Sequence, residues 1–336
     1  MTPAEACIAL AFTGLVLYLV FGGADFGGGF WDLETRLRGG RRGAHRLVEE
    51  TLAPVWEANH VWLIFVVVVA WTAFPRAVAQ AATSLLVPLT AAAVGIIARG
   101  AAFVFRKTDP DHRASPAYGA LFGFASVVTP FFLGAAGGAI AAGRIPEAGP
   151  GADRIDLLEA WWAPTPVFAG LLAVAISAYL AAVFLTVDAS RRGDPGQSDA
   201  FRRRALVMAG VAGVLALLGL GVVWADAPWL WEGLTQRGLP FVTASLLAGL
   251  ATVPLLWLRR DRVARFTAVA AVVAMLAGWA AGQYPWFLPG TLLIEEAAAP
   301  RATLLAVLAS LGVGAVLFLP PLAVLLWLSQ RGELRG

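Results

Sequence analysis

Long apolar segments recur along the whole chain, and they constrain its fold more than any other feature of the sequence. Each has about twenty residues, enough to cross roughly 30 Å of hydrocarbon as a helix. The composition agrees, because 59% of the 336 residues are hydrophobic and only 14% are charged, unlike a soluble domain. We therefore expect an all-α integral membrane protein with nine transmembrane helices, at about 4–24, 53–74, 79–105, 117–143, 164–187, 205–225, 240–258, 264–282 and 302–328.

The positive charges predict how these helices are oriented. Lys and Arg are retained in cytoplasmic loops, and nineteen of the 25 cations fall in one set of alternate loops. The opposite loops hold five cations and eight acids. The sequence thus predicts an amino terminus outside the cell and a cytoplasmic carboxyl terminus. The same asymmetry, facing a lipid bilayer with anionic headgroups, explains the pI of about 9.5, so nucleic acid binding is not predicted.

Ionisable residues enter the second membrane segment. Positions 56–62 read Trp-Glu-Ala-Asn-His-Val-Trp and precede a wholly apolar run. Glu57 and His60 lie one helical turn apart on the same face, and such groups cost free energy in hydrocarbon unless they have a role. Asn59 lies between them. Trp56 and Trp62 flank the motif and are predicted first as interfacial belt residues.

The predicted directions of the helices bring other charged residues to the same depth. Asp25 lies toward the cytoplasmic end of the first helix, and Arg99 is the one cation outside the loops. Asp25, Glu57, His60 and Arg99 should therefore converge in the inner half of three consecutive helices. Arg99 could compensate either Asp25 or Glu57 in a structural charge network. Alternatively the two acids and the histidine form part of a proton path; both readings can hold together.

Several kinds of site are unsupported by the sequence. Cys7 is alone, so no disulfide, cysteine-based zinc site or iron–sulfur cluster is expected within this chain. One histidine inside a helix does not make a bis-histidine haem site, and Met208 and Met275 are expected to pack in the apolar interior. We predict no metal ligand and no catalytic residue in this chain.

The glycine run 22–29 closes the first membrane segment. It lacks the Lys-Ser or Lys-Thr ending of a phosphate-binding loop, and no strand precedes it. Small residues at this position predict close helix packing and a backbone that bends near the interface.

Two motifs carry a family resemblance. The segment 23–29, Gly-Ala-Asp-Phe-Gly-Gly-Gly, and the segment 54–63, Pro-Val-Trp-Glu-Ala-Asn-His-Val-Trp-Leu, resemble subunit II of the cytochrome bd family of quinol oxidases. Weaker matches follow at Ala73-Phe74-Pro75, Arg99-Gly100, 126–130 and 284–289. The chain departs from the family pattern at Gly22, where an acid is common, and at His60, where some members have Gln.

The resemblance implies an architecture. It predicts one membrane domain over residues 1–336, with a first four-helix bundle at about 4–143, a second at about 164–282, and a ninth helix at about 302–328. It also implies a homologous, haem-bearing subunit I as the partner, with small accessory subunits as further candidates. The location it implies is the bacterial inner membrane.

The resemblance also implies a function. Haems b and d are expected in subunit I, where quinol is oxidised and oxygen is reduced to water. The present chain is expected to stabilise the assembly and to supply Asp25, Glu57 and His60 to a cytoplasmic proton-uptake path, with Arg99, Asn59, Trp56 and Trp62 in support. A structural quinone between its helices stays open.

Two other functions remain open at this point. The first is a purely structural assembly subunit, in which the membrane charges only pack helices. The second is a proton-coupled secondary transporter. The second bundle shows no intramembrane acid that matches those of the first, and this asymmetry favours a helper subunit over a symmetric carrier.

Overall fold

The computed structural model describes residues 1–39, 59–108, 115–147 and 157–330. Within these ranges the chain is almost entirely helical. The elements, in chain order, are α1 (Pro3–Leu37), α2 (Asn59–Ala73), α3 (Pro75–Ser84), α4 (Leu86–Thr108), α5 (Ser115–Ala141), α6 (Pro164–Arg191), α7 (Pro195–Asp226), α8 (Pro228–Thr235), α9 (Leu239–Trp257), α10 (Asp261–Gln283), β1 (Trp286–Leu288), β2 (Leu292–Leu293), α11 (Ile294–Ala297) and α12 (Arg301–Gln330).

The first helix is longer than its apolar segment. It begins at Pro3, where the Thr2 side chain accepts a hydrogen bond from the Glu5 backbone N–H and so caps the first turn. It then continues without a break through the glycine run 22–29, all of which is buried, to Leu37. The predicted end of this helix at about residue 24 is therefore wrong. Burial against neighbouring helices outweighs the low intrinsic helix propensity of glycine.

The second and third membrane segments differ from their predicted boundaries. Helix α2 ends at Ala73, and α3 departs from it at an angle of 116°. Pro75 causes this break, because proline disfavours the helical conformation of the residue before it, and Phe74 adopts φ −137° and ψ 55°. The predicted helix 79–105 is thus divided. Its first residues belong to α3, and the long apolar helix α4 begins only at Leu86.

The helix of the sixth predicted segment starts ten residues early, at Pro195 instead of 205. Asp194 caps it by accepting a hydrogen bond from the Gln197 backbone N–H. Consequently Arg202 and Arg204 lie on a helix and not in a loop. The short helix α8 and the small antiparallel pair β1–β2 were not predicted, because segments of two to eight residues give no periodic signal.

Two large apolar clusters and a small one around Ala141 and Leu230 lie in the interior of the described residues. The largest lies where α1, α6, α7 and α10 meet, and it includes Leu180 and Phe201. Met208 and Met275 pack against its edge, as expected for apolar filling residues. The second cluster joins the amino-terminal end of α1 to α3, the β1–β2 pair and α12, and contains Cys7, Phe74 and Leu288.

Seven helices in the described ranges are long and apolar enough to span a membrane, or eight if the bent pair α2–α3 counts as one span. Helix α12 contributes a shorter apolar helix over Arg301–Leu317. The chain is therefore a multi-pass membrane protein. The count of nine spans, the two-bundle division and the direction of insertion remain predictions.

Candidate functional site

Asp25 and Arg99 form a buried ion pair between α1 and α4. Arg99 Nη1 donates to Asp25 Oδ2 at 2.6 Å and Nη2 donates to Oδ1 at 2.7 Å. Nη2 also donates to the Asp25 backbone carbonyl at 3.1 Å. Both side chains are 1% exposed, so the pair lies away from any surface of the chain. Two parallel N–H···O bonds fix the orientation of both groups. Of the two acids that the sequence offered to Arg99, the structure pairs it with Asp25.

A third helix completes the surroundings of Arg99. Its Nε donates to Ser126 Oγ on α5 at 2.8 Å, and the Ser126 hydroxyl donates to the Phe122 carbonyl at 2.7 Å. The guanidinium also lies over the rings of Phe26 and Phe122, at 4.9 and 4.5 Å from their centroids. Sequence reasoning did not assign Ser126 to the site. A hydroxyl in the middle of an apolar segment was the available signal.

The glycine run of α1 allows this arrangement. A Cβ at Gly27 would collide with the Ser177 backbone carbonyl on α6, and a Cβ at Gly29 would overlap the Ser126 side chain. Two neighbouring helices therefore approach α1 at distances that only glycine permits. The predicted role of these residues in close helix packing is supported. Without that approach Ser126 would not reach Arg99.

Helix α2 covers α1 one turn away from Asp25. The Asn59 side chain is 1% exposed and lies against Gly22, where a Cβ would overlap the Asn59 amide. Further along, Phe65 covers Gly14 in the same way, with a ring carbon 2.6 Å from the position of a Cβ. Asn59 thus lies against α1 about one turn from Asp25.

Of the remaining residues of the predicted site, only His60 and Trp62 lie in the described ranges. His60 is half-buried in the first described turn of α2. Trp62 is also half-buried, and its ring makes an edge contact with Phe65 at 6.2 Å between centroids. Glu57 and Trp56 lie outside the described residues. The structure therefore brings Asp25, Arg99 and Asn59 together and leaves the position of Glu57 open.

The arrangement has a definite chemical character. Both Asp25 carboxylate oxygens accept a hydrogen bond from Arg99. In all, Arg99 donates four hydrogen bonds, three to Asp25 and one to Ser126. Among the described residues, removing either charge would leave the other buried without a compensating charge. The pair therefore neutralises charge and fixes α1, α4 and α5 relative to one another.

A second set of ion pairs lies where α7 and α10 begin. Arg202 Nη2 donates to Asp261 Oδ2 at 2.7 Å and Nε donates to Oδ1 at 3.2 Å. Arg202 also pairs with Asp199, which contacts Arg259 at 3.2 Å. These residues lie at the membrane end predicted to be cytoplasmic. They join two hairpins of the second half of the chain.

Arg204 on α7 adds a further group of contacts near that set. Arg204 binds Glu34 at 2.6 Å and lies over the rings of Trp31 and Phe201. Trp31 Nε1 in turn donates to the Ala178 carbonyl at 2.8 Å. The contacts tie the carboxyl-terminal turns of α1 to α6 and α7. They connect the first half of the chain to the second.

No group of three or more His, Cys, Asp or Glu residues in the described ranges could hold a metal ion. A groove of about 390 Å³ does lie between α5, α6 and α7. Apolar side chains line it, including Val127, Phe131, Leu171, Met208 and Leu215. Such a lining suits an acyl or isoprenoid chain and offers no polar group to orient a headgroup.

Comparisons with known proteins agree with this architecture. The family described as Cytochrome bd terminal oxidase subunit II matches residues 4–329. A chain in the structure of bd oxidase from Geobacillus thermodenitrificans superposes with a TM-score of 0.80 at 25% identity, over 98% of each chain.

Curated relatives come from Bacillus subtilis strain 168. Its cytochrome bd ubiquinol oxidase subunit 2 is 29% identical over 127 residues, which is 38% of this chain and only 36% of that protein. Its putative cytochrome bd menaquinol oxidase subunit II is 22% identical over 254 residues, 74% of this chain and 72% of that one. The resemblance carried by the two motifs is confirmed: the chain belongs to the cytochrome bd terminal oxidase subunit II family.

Proposed function

We propose that this chain is subunit II of a quinol:oxygen oxidoreductase, which pairs with a haem-bearing subunit I in the bacterial inner membrane. The observation that carries the proposal is the family match over residues 4–329, supported by a superposition that leaves almost no part of the chain unmatched. In the proposed complex, haems b and d belong to subunit I, quinol donates electrons there and oxygen is reduced. Small accessory subunits would attach to the pair.

The groove between α5, α6 and α7 is the proposed place for a structural quinone. Its apolar lining fits an isoprenoid chain. Extraction of the purified complex, followed by chromatography of the lipids, tests this. One quinone retained per complex, and lost when Val211→Trp fills the groove, is the expected result. Retention that is unchanged in that variant would place the quinone elsewhere.

The finer part of the proposal is proton uptake. Protons enter near Asp25, pass Glu57 and His60, and leave toward subunit I. Support comes from the buried carboxylate of Asp25. It also comes from α2, whose first described turn packs against α1 one turn from Asp25. Because both Asp25 oxygens are engaged by Arg99, Asp25 acts here as a positioning residue, and Glu57 and His60 carry the transfer.

Quinol-dependent oxygen uptake and proton uptake by the purified complex test this path. Glu57→Gln and His60→Ala should assemble normally and slow both rates, because neither replacement side chain accepts and releases a proton in the accessible range. Glu159→Gln is the matched control, since Glu159 is exposed and far along the chain from α2. Full rates in the two site variants would refute the path.

A second candidate function is assembly alone. The observation that favours it is the complete engagement of Asp25 by Arg99, which is the geometry of a structural ion pair. This candidate predicts that Glu57→Gln keeps full activity while Arg99→Met loses the complex. The transporter alternative gains nothing from the second half of the chain, where the described acids of α6, α7 and α10 lie near helix ends: Asp188, Asp199, Asp226 and Asp261.

A further inference from the structure

Three polar side chains form a layer next to the Asp25–Arg99 pair. The Tyr18 layer, as we call it, consists of Tyr18 on α1, Asn59 on α2 and Thr129 on α5. Their exposures are 2%, 1% and 0%. Among the described residues, no hydrogen-bond partner reaches Tyr18 Oη, either amide atom of Asn59, or Thr129 Oγ1.

Glycines place this layer on one side of the ion pair. Asn59 lies against Gly22, three residues before Asp25, and Thr129 lies against Gly95, four residues before Arg99. Tyr18 is one further turn along α1, about 10 Å from Asp25 along the helix axis. The layer therefore continues the buried polar region from the pair toward the middle of α1.

The backbone of α5 adds another polar group at this level. Pro130 lies inside α5 and has no N–H, so the carbonyl of Ser126 lacks the donor that a regular helix supplies. Ser126 is the residue that binds Arg99. The Ser126 carbonyl, one turn before Pro130, therefore receives no hydrogen bond from the N–H of residue 130.

Buried polar groups in a membrane protein are normally satisfied, because hydrocarbon offers no replacement partner. The Tyr18 layer contains both donors and acceptors from three helices, which is the combination that holds buried water. We infer that the Tyr18 layer binds internal water, and that this water and the Tyr18 hydroxyl carry protons from the Asp25 region toward the middle of the membrane. The water site rests on geometry alone, whereas its part in proton movement rests on the proposed function.

The second half of the chain supplies a matched control. Tyr179 on α6 is also buried, with 6% exposure. Its hydroxyl, like that of Tyr18, has no hydrogen-bond partner among the described residues, and the described acids of α6, α7 and α10 lie near helix ends. Tyr179→Phe removes the same hydroxyl as Tyr18→Phe, but away from a mid-helix ion pair.

Hydroxyl-radical footprinting of the purified complex tests the water site, because radicals formed from bound water label the side chains beside it. Tyr18 should be labelled several-fold faster than Trp31, which is buried and whose Nε1 is already bonded to the Ala178 carbonyl. Equal labelling of the two would overturn the water site.

Proton uptake during oxygen reduction tests the role in transfer. Tyr18→Phe should slow it roughly tenfold, and Thr129→Val should slow it less, because each removes a hydrogen-bond partner of the water. Tyr179→Phe should leave it unchanged. A normal rate in Tyr18→Phe beside a slow rate in Glu57→Gln would overturn the extension and keep the proposed path. Normal rates in both, with Tyr18 still labelled, would refute the path and keep the water site.

Discussion

The two halves of the chain each bury an Asp–Arg pair, and the pairs differ in where they lie. Asp25 and Arg99 are in the interiors of α1 and α4, each 1% exposed. Asp261 is the first residue of α10, and its partner Arg202 lies in the first turns of α7. Both pairs have two N–H···O bonds between the guanidinium and the carboxylate. Their chemistry is the same, and their surroundings are not.

The difference shows what each pair can contribute. At the helix ends Asp261 benefits from the positive end of the α10 dipole, and Asp199, which also contacts Arg202, is 35% exposed. Water and neighbouring charges can therefore replace a lost partner. In the interiors of α1 and α4, neither Asp25 nor Arg99 has a second ion-pair partner among the described residues, so the two charges depend on each other. In the first half an interior ion pair holds the helices together, and the loss of either charge is costly. In the second half the ion pairs at the helix ends join two hairpins, and the loss of one charge costs less.

The largest expected effect is the loss of the interior pair. Arg99→Met should destabilise the complex by about 3–5 kcal/mol, because it leaves Asp25 buried and uncompensated. Thermal unfolding of the purified complex, and the amount assembled in membranes, measure this. The double variant Asp25→Asn with Arg99→Met should recover part of the loss. An Arg99→Met complex as stable as the parent would contradict the dependence of these two buried charges on each other.

A smaller effect is expected from the pair at the helix ends. Arg202→Met should cost about 1–2 kcal/mol, since the α10 dipole and nearby water still stabilise Asp261. Raising the salt concentration to about 1 M, where the Debye length falls to about 3 Å, should reduce this difference and leave that of Arg99→Met unchanged. If Arg202→Met and Arg99→Met lost the same stability at all salt concentrations, the two ion pairs would not differ as their surroundings predict.

An exposed ion pair on the surface should contribute least to stability among the three ion pairs compared. Arg38 binds Glu34 at 2.7 Å, but its side chain is 78% exposed. Arg38→Ala should change stability by less than about 0.5 kcal/mol. The same thermal unfolding assay measures it. A loss as large as that of Arg202→Met would mean that exposure does not rank these pairs.

The smallest effect is expected from an uncharged side chain, Tyr284, on the side of the membrane predicted to face outward. Tyr284 donates a hydrogen bond to Glu5 at 2.9 Å, and this bond and the negative charge of Glu5 raise the pKa of Tyr284. The phenol should therefore stabilise the fold fully below its ordinary pKa of about 10, and this contribution should disappear as the pH rises through the higher folded-state pKa.

Tyr284→Phe isolates that contribution. The difference in melting temperature between the parent and this variant should be small at about pH 9 and should shrink further toward about pH 11. A difference that grows with pH would show that the hydrogen bond does not favour the protonated phenol. Neither variant at Asp25 nor at Arg99 should alter this dependence, because the sites are at different depths.

Much of the fold follows from local pattern. The helices α5, α6, α9 and α10 begin and end within four residues of their predicted limits, because long apolar runs bounded by charges and proline define such elements well. The errors have local physical causes. Pro75 divides the third segment, and the glycine run stays helical because neighbouring helices bury it.

The candidate site was predicted in part. Charged residues in apolar segments are costly, so Asp25, Arg99 and Glu57 were visible from composition alone. Ser126, Tyr18 and Thr129 were not, because an uncharged hydroxyl in a membrane helix commonly bonds its own backbone and gives no signal of a site.

By itself, the sequence determined that the chain is a membrane protein, that its first half carries intramembrane charge, and that it resembles one oxidase subunit family. Only the tertiary structure decided that Arg99 binds Asp25 and Ser126, and that Asn59 covers Gly22. The reason is geometric. Partners across helices depend on how each helix is rotated and how deep it lies, and a helix that is apolar on every side leaves that rotation unmarked in its sequence.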